Sequence, residues 1–248
     1  MRFVNTRIIS SHLRITRPTQ AQQLRRPLPA RLQPSSRSPS RFLTTMADQP
    51  LPQRRFQRSV VFICDIQEKF RPAIWNLDAV IATTAKLLRA AHILRIPVHT
   101  TTQNGARLGP TVSELESLLT PSDLVHPVVD KTRFSMWVPG VAKHFESGDK
   151  AEVILVGIES HVCITQTALD LIANGHKVYV CADGVSSCNK EEVAVALARL
   201  RGEGATVTTS ESVLYELMGD AKVAEFKDIV GIVKETGKAT KDSLQALL

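Results

Sequence analysis

From Ser59 onward the chain repeats one pattern: a short run of β-branched and other apolar residues, then a longer stretch whose apolar positions recur every three or four residues. Strand and helix alternating in this way predict a parallel sheet covered by crossover helices. Strands are expected at Val60 to Cys64, Val98 to Thr102, Leu124 to Val129, Glu152 to Val156, Lys177 to Cys181 and Thr206 to Thr208. Between the first two, Leu77, Val80, Ile81, Thr84, Leu87, Leu88, Ala91 and Leu94 put one apolar stripe along a helix. Further helices are expected at Val112 to Leu119, Val138 to Glu146, Cys163 to Ala173 and Lys190 to Arg201, the third of these stopped by Gly175. Beyond about Asp220, the spacing of Val223, Phe226, Ile229, Val230 and Val233 predicts a covering helix that fades into a loose tail after Gly237. The expected fold class is α/β, a three-layer Rossmann-like domain around a six-stranded, mainly parallel sheet. In such a sheet the ligand crevice lies at the carboxyl ends of the strands, where strand order reverses.

Composition changes this picture mainly at the front. The chain has 248 residues, 43% of them hydrophobic, enough for one good core. Its net charge of +7 suggests a polyanionic partner until its distribution is seen. Residues 1–47 hold nine of the 31 basic residues, all arginine, and none of the 24 acidic ones, so residues 48–248 carry 22 basic against 24 acidic. Nucleic acid is therefore not an expected partner. The segment from Met1 to about Thr45 is rich in Arg and Ser, has no acid, is interrupted by Pro18, Pro27, Pro29, Pro34 and Pro39, and contains an amphipathic stretch from Phe3 to Ile15. It reads as a mitochondrial transit peptide, with a disordered basic tail as the alternative. An internal start at Met46 would give the same domain without that address and place a second pool in the cytoplasm. No apolar run reaches the roughly 18 to 20 residues that span a bilayer, so no membrane partner is expected. The expected organisation is a disordered transit peptide over 1–45, a linker over 46–58, one domain over 59–235 and a tail over 236–248.

Candidate chemistry gathers at strand ends. The run Val153 to Ile158 ends in a glycine turn and re-emerges as a helix that opens on Cys163. Unpaired N–H groups and the helix dipole at such a start favour a thiolate and can hold an oxyanion beside it. Asp65 follows the first strand directly and Lys131 follows the third. Together an acid, a cation and a thiol can take a proton, lower a thiol pKa and return the proton to a leaving amine. Singly they leave blander readings open: a buried small hydrophobe at Cys163, a capping residue at Asp65, a solvated lysine at Lys131. Cys64, Cys181 and Cys188 show no disulfide or metal spacing and are expected as free thiols. His99, His126, His144, His161 and His176 share no metal spacing and are expected as surface or packing residues, His161 closest to the pocket.

Three separated motifs sharpen this reading: Asp65-x-Gln67-x-x-Phe70, Lys131 after the third strand, and Gly157-Ile-Glu-Ser-x-x-Cys163-Ile-x-x-Thr167-Ala168. In that order they resemble the isochorismatase-like cysteine hydrolases, over roughly Ser59 to Ile232. Cys64-Asp-x-Gln-Glu-Lys-Phe70, Gly109-Pro-Thr-Val112, Phe134-Ser-Met136 and Ala196-Leu-Ala-Arg199 are most similar to the eukaryotic isochorismatase domain-containing proteins, some of them mitochondrial. The resemblance implies Asp65 as general base, Lys131 as its charged neighbour and Cys163 as nucleophile. It also implies a cis peptide between Ile158 and Glu159, with the Glu159 and Cys163 N–H groups as oxyanion donors. Phe70 matches a position that lines the substrate pocket, and Gln103 and Trp137 are expected to add to its wall. Relatives that cleave the vinyl ether of isochorismate lack the cysteine, whereas nicotinamidases carry an Asp-x-His metal motif where this chain reads Thr100-Thr-Thr-Gln-Asn-Gly-Ala-Arg107. The expectation is hydrolysis of a small amide or related C–N bond through a thioester, with no metal and no cofactor. The alternative is a non-catalytic metabolite-binding or scaffold protein on the same fold, and homo-oligomerisation is left open.

Overall fold

The structure is a computed structural model that describes residues 55–248. The transit-peptide reading and most of the linker, up to residue 54, lie outside the described residues. Within them the strands are β1 (Ser59–Cys64), β2 (Val98–Gln103), β3 (Val129–Lys131), β4 (Glu152–Ile158), β5 (Lys177–Ser186) and β6 (Thr206–Thr208). They form one six-stranded sheet in the order β3-β2-β1-β4-β5-β6, and every pairing is parallel. The order reverses between β1 and β4, so the crevice rule points to the residues that leave these two strands.

The helices are α1 (Leu77–Leu94), α2 (Gly105–Leu108), α3 (Ser113–Glu116), α4 (Pro139–Ala142), α5 (Thr165–Ala173), α6 (Lys190–Gly202), α7 (Ser210–Met218), α8 (Phe226–Glu235) and α9 (Gly237–Leu247). Alternation along β1 explains the two cores. Val61 and Ile63 face the cluster built with α1, α7, α8 and α9, whereas Val60, Phe62 and Cys64 face the cluster built with α5 and α6. β4 divides likewise, Ile154 and Val156 to one side and Val153 and Leu155 to the other. Burial on both faces is why these strands read as unbroken apolar runs rather than alternating ones.

Several boundaries differ from the sequence expectation. The third strand occupies Val129–Lys131, and of the expected stretch only Val125 makes an isolated bridge, to Val98. Pro127, which has no N–H to give a ladder, separates the two. The helices expected after Val112 and Val138 are single turns continued as 3-10 turns. α7 was not expected; its start is capped by Thr209 Oγ1, which accepts from Ser212 N at 3.3 Å. The segment expected as a loose tail is helical. α9 buries Leu247, and its Thr240 Oγ1 accepts a 2.8 Å bond from the buried Lys86 Nζ of α1. That contact gives the buried ammonium a partner, which no periodicity reveals. Order also begins before Ser59, since Phe56 is buried against Tyr179 with ring centroids 4.7 Å apart. Among the described residues no helix is long and apolar enough to cross a membrane.

Gly157 fixes how closely the two central strands meet. It pairs with Cys64, adopts φ +119°, and an added Cβ would lie 2.1 Å from the Cys64 carbonyl oxygen. No rotamer relieves a clash between backbones. Gly157→Ala is expected to cost about 3 kcal/mol or more in chemical denaturation, whereas Gly202→Ala, with open space around it, stays within about 0.5 kcal/mol.

Candidate active site

β1 ends and the chain turns at once. Asp65 takes a left-handed φ of 54°, a conformation that aspartate tolerates better than most residues, while its N–H still bonds Thr101 O at 3.2 Å. The carboxylate is only 1% exposed, yet each oxygen is occupied. Oδ1 accepts from Thr101 Oγ1 at 2.8 Å, and Oδ2 accepts from Lys131 Nζ at 2.7 Å. Lys131, the last residue of β3, reaches it past β2. Its ammonium also donates to Gln103 Oε1 at 2.9 Å and lies 3.0 Å from Phe134 O and 3.1 Å from Arg133 O. The loop after β3 therefore wraps the lysine with carbonyls. A buried charge pair is tolerable only with this much hydrogen bonding around it.

β4 ends in the peptide Ile158–Glu159, which is cis. The chain then makes a π-helical turn, Ser160–Ile164, before α5 begins at Thr165. Cys163 thus sits inside an irregular turn rather than at the first residue of a regular helix, as the sequence suggested. Such turns recur at functional sites because they re-aim side chains. Its thiol is buried, and Sγ of Cys163, Sγ of Cys64 and a carboxylate oxygen of Asp65 all lie within 4.8 Å of one another. The structure therefore brings Asp65, Lys131 and Cys163 to one place.

The thiol of Cys64 belongs to this group too, although its spacing marked it only as a free thiol. Its Sγ donates to Asp65 Oδ2 at 3.5 Å. Burial, a hydrogen bond with Cys163 and the Asp65 charge all push it well above the usual thiol value. It stays protonated, as a donor, beside the thiol that would react. The alternation of β1 puts it on the α5 side, and the Cys64-Asp65 dipeptide next to that strand end was the available signal.

The remaining candidates divide. Gln103, expected as pocket wall, instead braces the cation: Oε1 accepts from Lys131, Nε2 donates to Thr132 O at 2.9 Å, and its N–H donates to Gln67 Oε1 at 2.7 Å. Gln67 is itself buried and donates to Gly109 O at 2.7 Å, which explains the glutamine in the first motif. Phe70 is half-buried in a short 3-10 turn and packs against the α1-side core. Trp137 lies elsewhere. It packs on Phe145 at 5.3 Å and on His176 at 5.1 Å, and His176 precedes β5, at the amino end of the sheet. It does not line the crevice at the carboxyl ends. The Glu159 carboxylate accepts from Cys188 N at 3.0 Å, and His161 Nδ1 lies 3.0 Å from Ser187 Oγ, which places both side chains beside the end of β5.

The histidines are not scattered as their spacing suggested. His99, His126 and His144 meet, with ring centroids 4.1 to 5.0 Å apart. Burial first, then the neighbouring imidazoles, push His99 down to about 3. Burial also lowers His126 and His144, with Lys143 adding to the effect on both. All three are neutral rings at neutral pH.

The buried pair makes a stability prediction. Lys131→Met leaves the Asp65 carboxylate buried and without its cation, and is expected to cost about 3–5 kcal/mol in denaturant unfolding. Adding Asp65→Asn to Lys131→Met is expected to recover much of that loss, a coupling that a double-mutant cycle measures directly.

Residues 59–212 match the family model described as the isochorismatase domain. The chain is 44% identical over 179 residues to the secreted isochorismatase effector Isc1 of Phytophthora sojae, covering 71% of this chain and 85% of that protein. It is 43% identical to isochorismatase domain-containing protein 2 of Xenopus laevis, covering 71% and 84%. Among solved structures, the MAR1 ribonuclease from Caenorhabditis elegans superposes with a TM-score of 0.66 at 38% identity, covering 71% of this chain and 90% of that one.

Proposed function

The chain belongs to the isochorismatase family, and we propose that within it the protein is a cysteine hydrolase acting on a small amide or related C–N bond. One observation carries this reading: a buried Asp65–Lys131 ion pair shares the rim of the switch point with the Cys163 thiol.

In this mechanism Asp65 takes the proton of Cys163, and Lys131 holds the carboxylate in place through their ion pair. The thiolate attacks the substrate carbonyl, and the C–S bond forms as the C=O electron pair moves to oxygen. Backbone N–H groups of Glu159 and Cys163 hold that oxyanion; each well-aimed donor is worth about 3–4 kcal/mol. Collapse of the intermediate breaks the C–N bond as Asp65 returns the proton to the leaving amine. A water molecule, deprotonated by Asp65, then attacks the thioester, releasing the acid and restoring the thiol. Thr101 and Gln103 act on the pair rather than on substrate: one orients the carboxylate, the other the ammonium. Phe70, half-buried in the 3-10 turn that follows Asp65, supplies apolar wall. No step calls on a cofactor.

The near balance of charge beyond residue 47 favours a small substrate over a polyanion. The worm structure's description as a ribonuclease nonetheless makes RNA a necessary arm of the test. For location, the acid-free arginine-rich front end supports import into the mitochondrial matrix, with Met46 as a start for a cytoplasmic form. A fluorescent fusion of the full chain is expected to co-localise with mitochondria and to lose that pattern when residues 1–45 are removed.

The functional test is ammonia or amine release from a panel of small amides, ureides and carbamates, beside cleavage of a labelled RNA oligonucleotide. The expected result is turnover of at least one small C–N substrate that falls by a factor of about 10³ or more in Cys163→Ala. Turnover that survives Cys163→Ala, or RNA cleavage as the sole activity, would overturn the reading.

A further inference from the structure

The three-imidazole cluster lies outside the candidate active site and plays no part in its chemistry. His99 is the second residue of β2 and is 3% exposed. His126 is held beside it because its backbone N–H donates to Val98 O at 3.0 Å. His144 comes from the 3-10 turn Lys143–Phe145, whose His144 carbonyl accepts from Arg58 Nη2 at 3.0 Å. Three separate segments thus deliver one ring each to the amino end of the sheet. One nitrogen of each ring lies within 4.8 Å of the other two. Among the described residues, no side chain or backbone group hydrogen-bonds to these ring nitrogens. One buried and two half-buried imidazoles thus meet with their lone pairs uncommitted to protein donors, which a ligand can take.

A cavity of about 190 Å³ adjoins them, lined also by Arg58, Pro97, Phe145 and Ala151. We infer that His99, His126 and His144 form a three-histidine site for a divalent transition metal ion, with zinc the best fit, and that the cavity admits a fourth, exogenous ligand. Neutral imidazole is a ligand of choice for Zn²⁺, Co²⁺ and Cu²⁺, and sites with three protein ligands keep a position open. The absence of carboxylates in the cluster argues against Mg²⁺ and Ca²⁺, which want oxygen. The surrounding charge is positive, from Lys143 and from Arg58, whose guanidinium is fixed by Ser147 Oγ at 3.2 Å and Asp149 O at 2.7 Å. That charge weakens binding of a bare cation but favours an anionic fourth ligand, such as hydroxide or a small carboxylate, on the Arg58 side.

Zinc–nitrogen bonds of about 2.0–2.1 Å set tetrahedral ligand nitrogens about 3.3 Å apart, within the 4.8 Å that gathers these rings. His99 and His126 are stacked, with planes 9° apart and centroids at 4.2 Å. Parallel stacked rings cannot both aim a lone pair at one ion, so binding requires one of them to turn. His126 is half-buried and is the ring free to do so, while His99 stays wedged against Phe62 at 5.3 Å.

The test is binding of Zn²⁺ alone to the full chain at neutral pH, by calorimetry, with Co²⁺ as a spectroscopic probe. The expected result is one ion per chain, the intense visible bands of four-coordinate Co²⁺, and a thermal midpoint that rises with Zn²⁺ concentration. His126→Ala and His144→Ala, both at half-buried positions, are expected to weaken binding about tenfold or more each. Two other groups of potential ligands occur among the described residues, Cys64 with Asp65 and Cys163, and Glu159 with His161 and Cys188. Cys163→Ala and Cys188→Ala therefore serve as controls expected to leave the high-affinity site unchanged. No saturable binding, or binding lost in a cysteine variant but retained in His126→Ala and His144→Ala, would overturn the inference.

Discussion

The contact between the Asp65 carboxylate and the Lys131 ammonium organises the working end of this molecule. Both side chains are about 1% exposed, and neither charge would be tolerated there alone. Because the pair must be satisfied, the structure is built around it. Thr101 from β2 takes one carboxylate oxygen, Gln103 from the end of β2 takes the ammonium, and carbonyls of the loop after β3 close round it. Strands β1, β2 and β3 are thereby fixed relative to one another at their carboxyl ends, where the backbone ladder stops. The cysteine arrives from the other side of the switch point, on the turn after β4.

A second constraint sets how near that turn can come. Gly157 lets β4 lie against the Cys64 backbone where no side chain would fit, and the Cys64 thiol, the Cys163 thiol and an Asp65 carboxylate oxygen gather within 4.8 Å of one another. The result is an acid that faces two thiols and one cation. Burial, the hydrogen bond with Cys163 and the Asp65 charge push the Cys64 thiol well up, so it serves there as a donor.

Much of this was legible in the sequence because strand ends are short-range features. Asp65, Lys131 and Cys163 each come just after an apolar run, and a parallel sheet places all such positions on one rim. Less was legible where partners come from far along the chain. Gln103 looked like pocket wall because its position is right; only the structure shows both ends of its amide committed to Lys131 and Thr132. Trp137 looked available for substrate, but it is drawn into the aromatic cluster with Phe145 and His176 at the opposite end. α9 is polar in composition, and its place is set by Thr240 meeting a buried lysine 154 residues earlier. The three histidines carry no spacing signal for the same reason: each comes from a different segment, and the sheet brings them together.

In the proposed mechanism the ion pair makes Cys163 a nucleophile. The most direct measurement is the rate at which iodoacetamide modifies Cys163 at neutral pH, followed peptide by peptide, with the exposed Cys188 as internal reference. Cys163 is expected to react faster than Cys188 despite its burial, and Asp65→Asn to slow it about tenfold or more while Cys188 is unchanged. A Cys163 that reacts more slowly than Cys188, at a rate indifferent to Asp65→Asn, would contradict that mechanism.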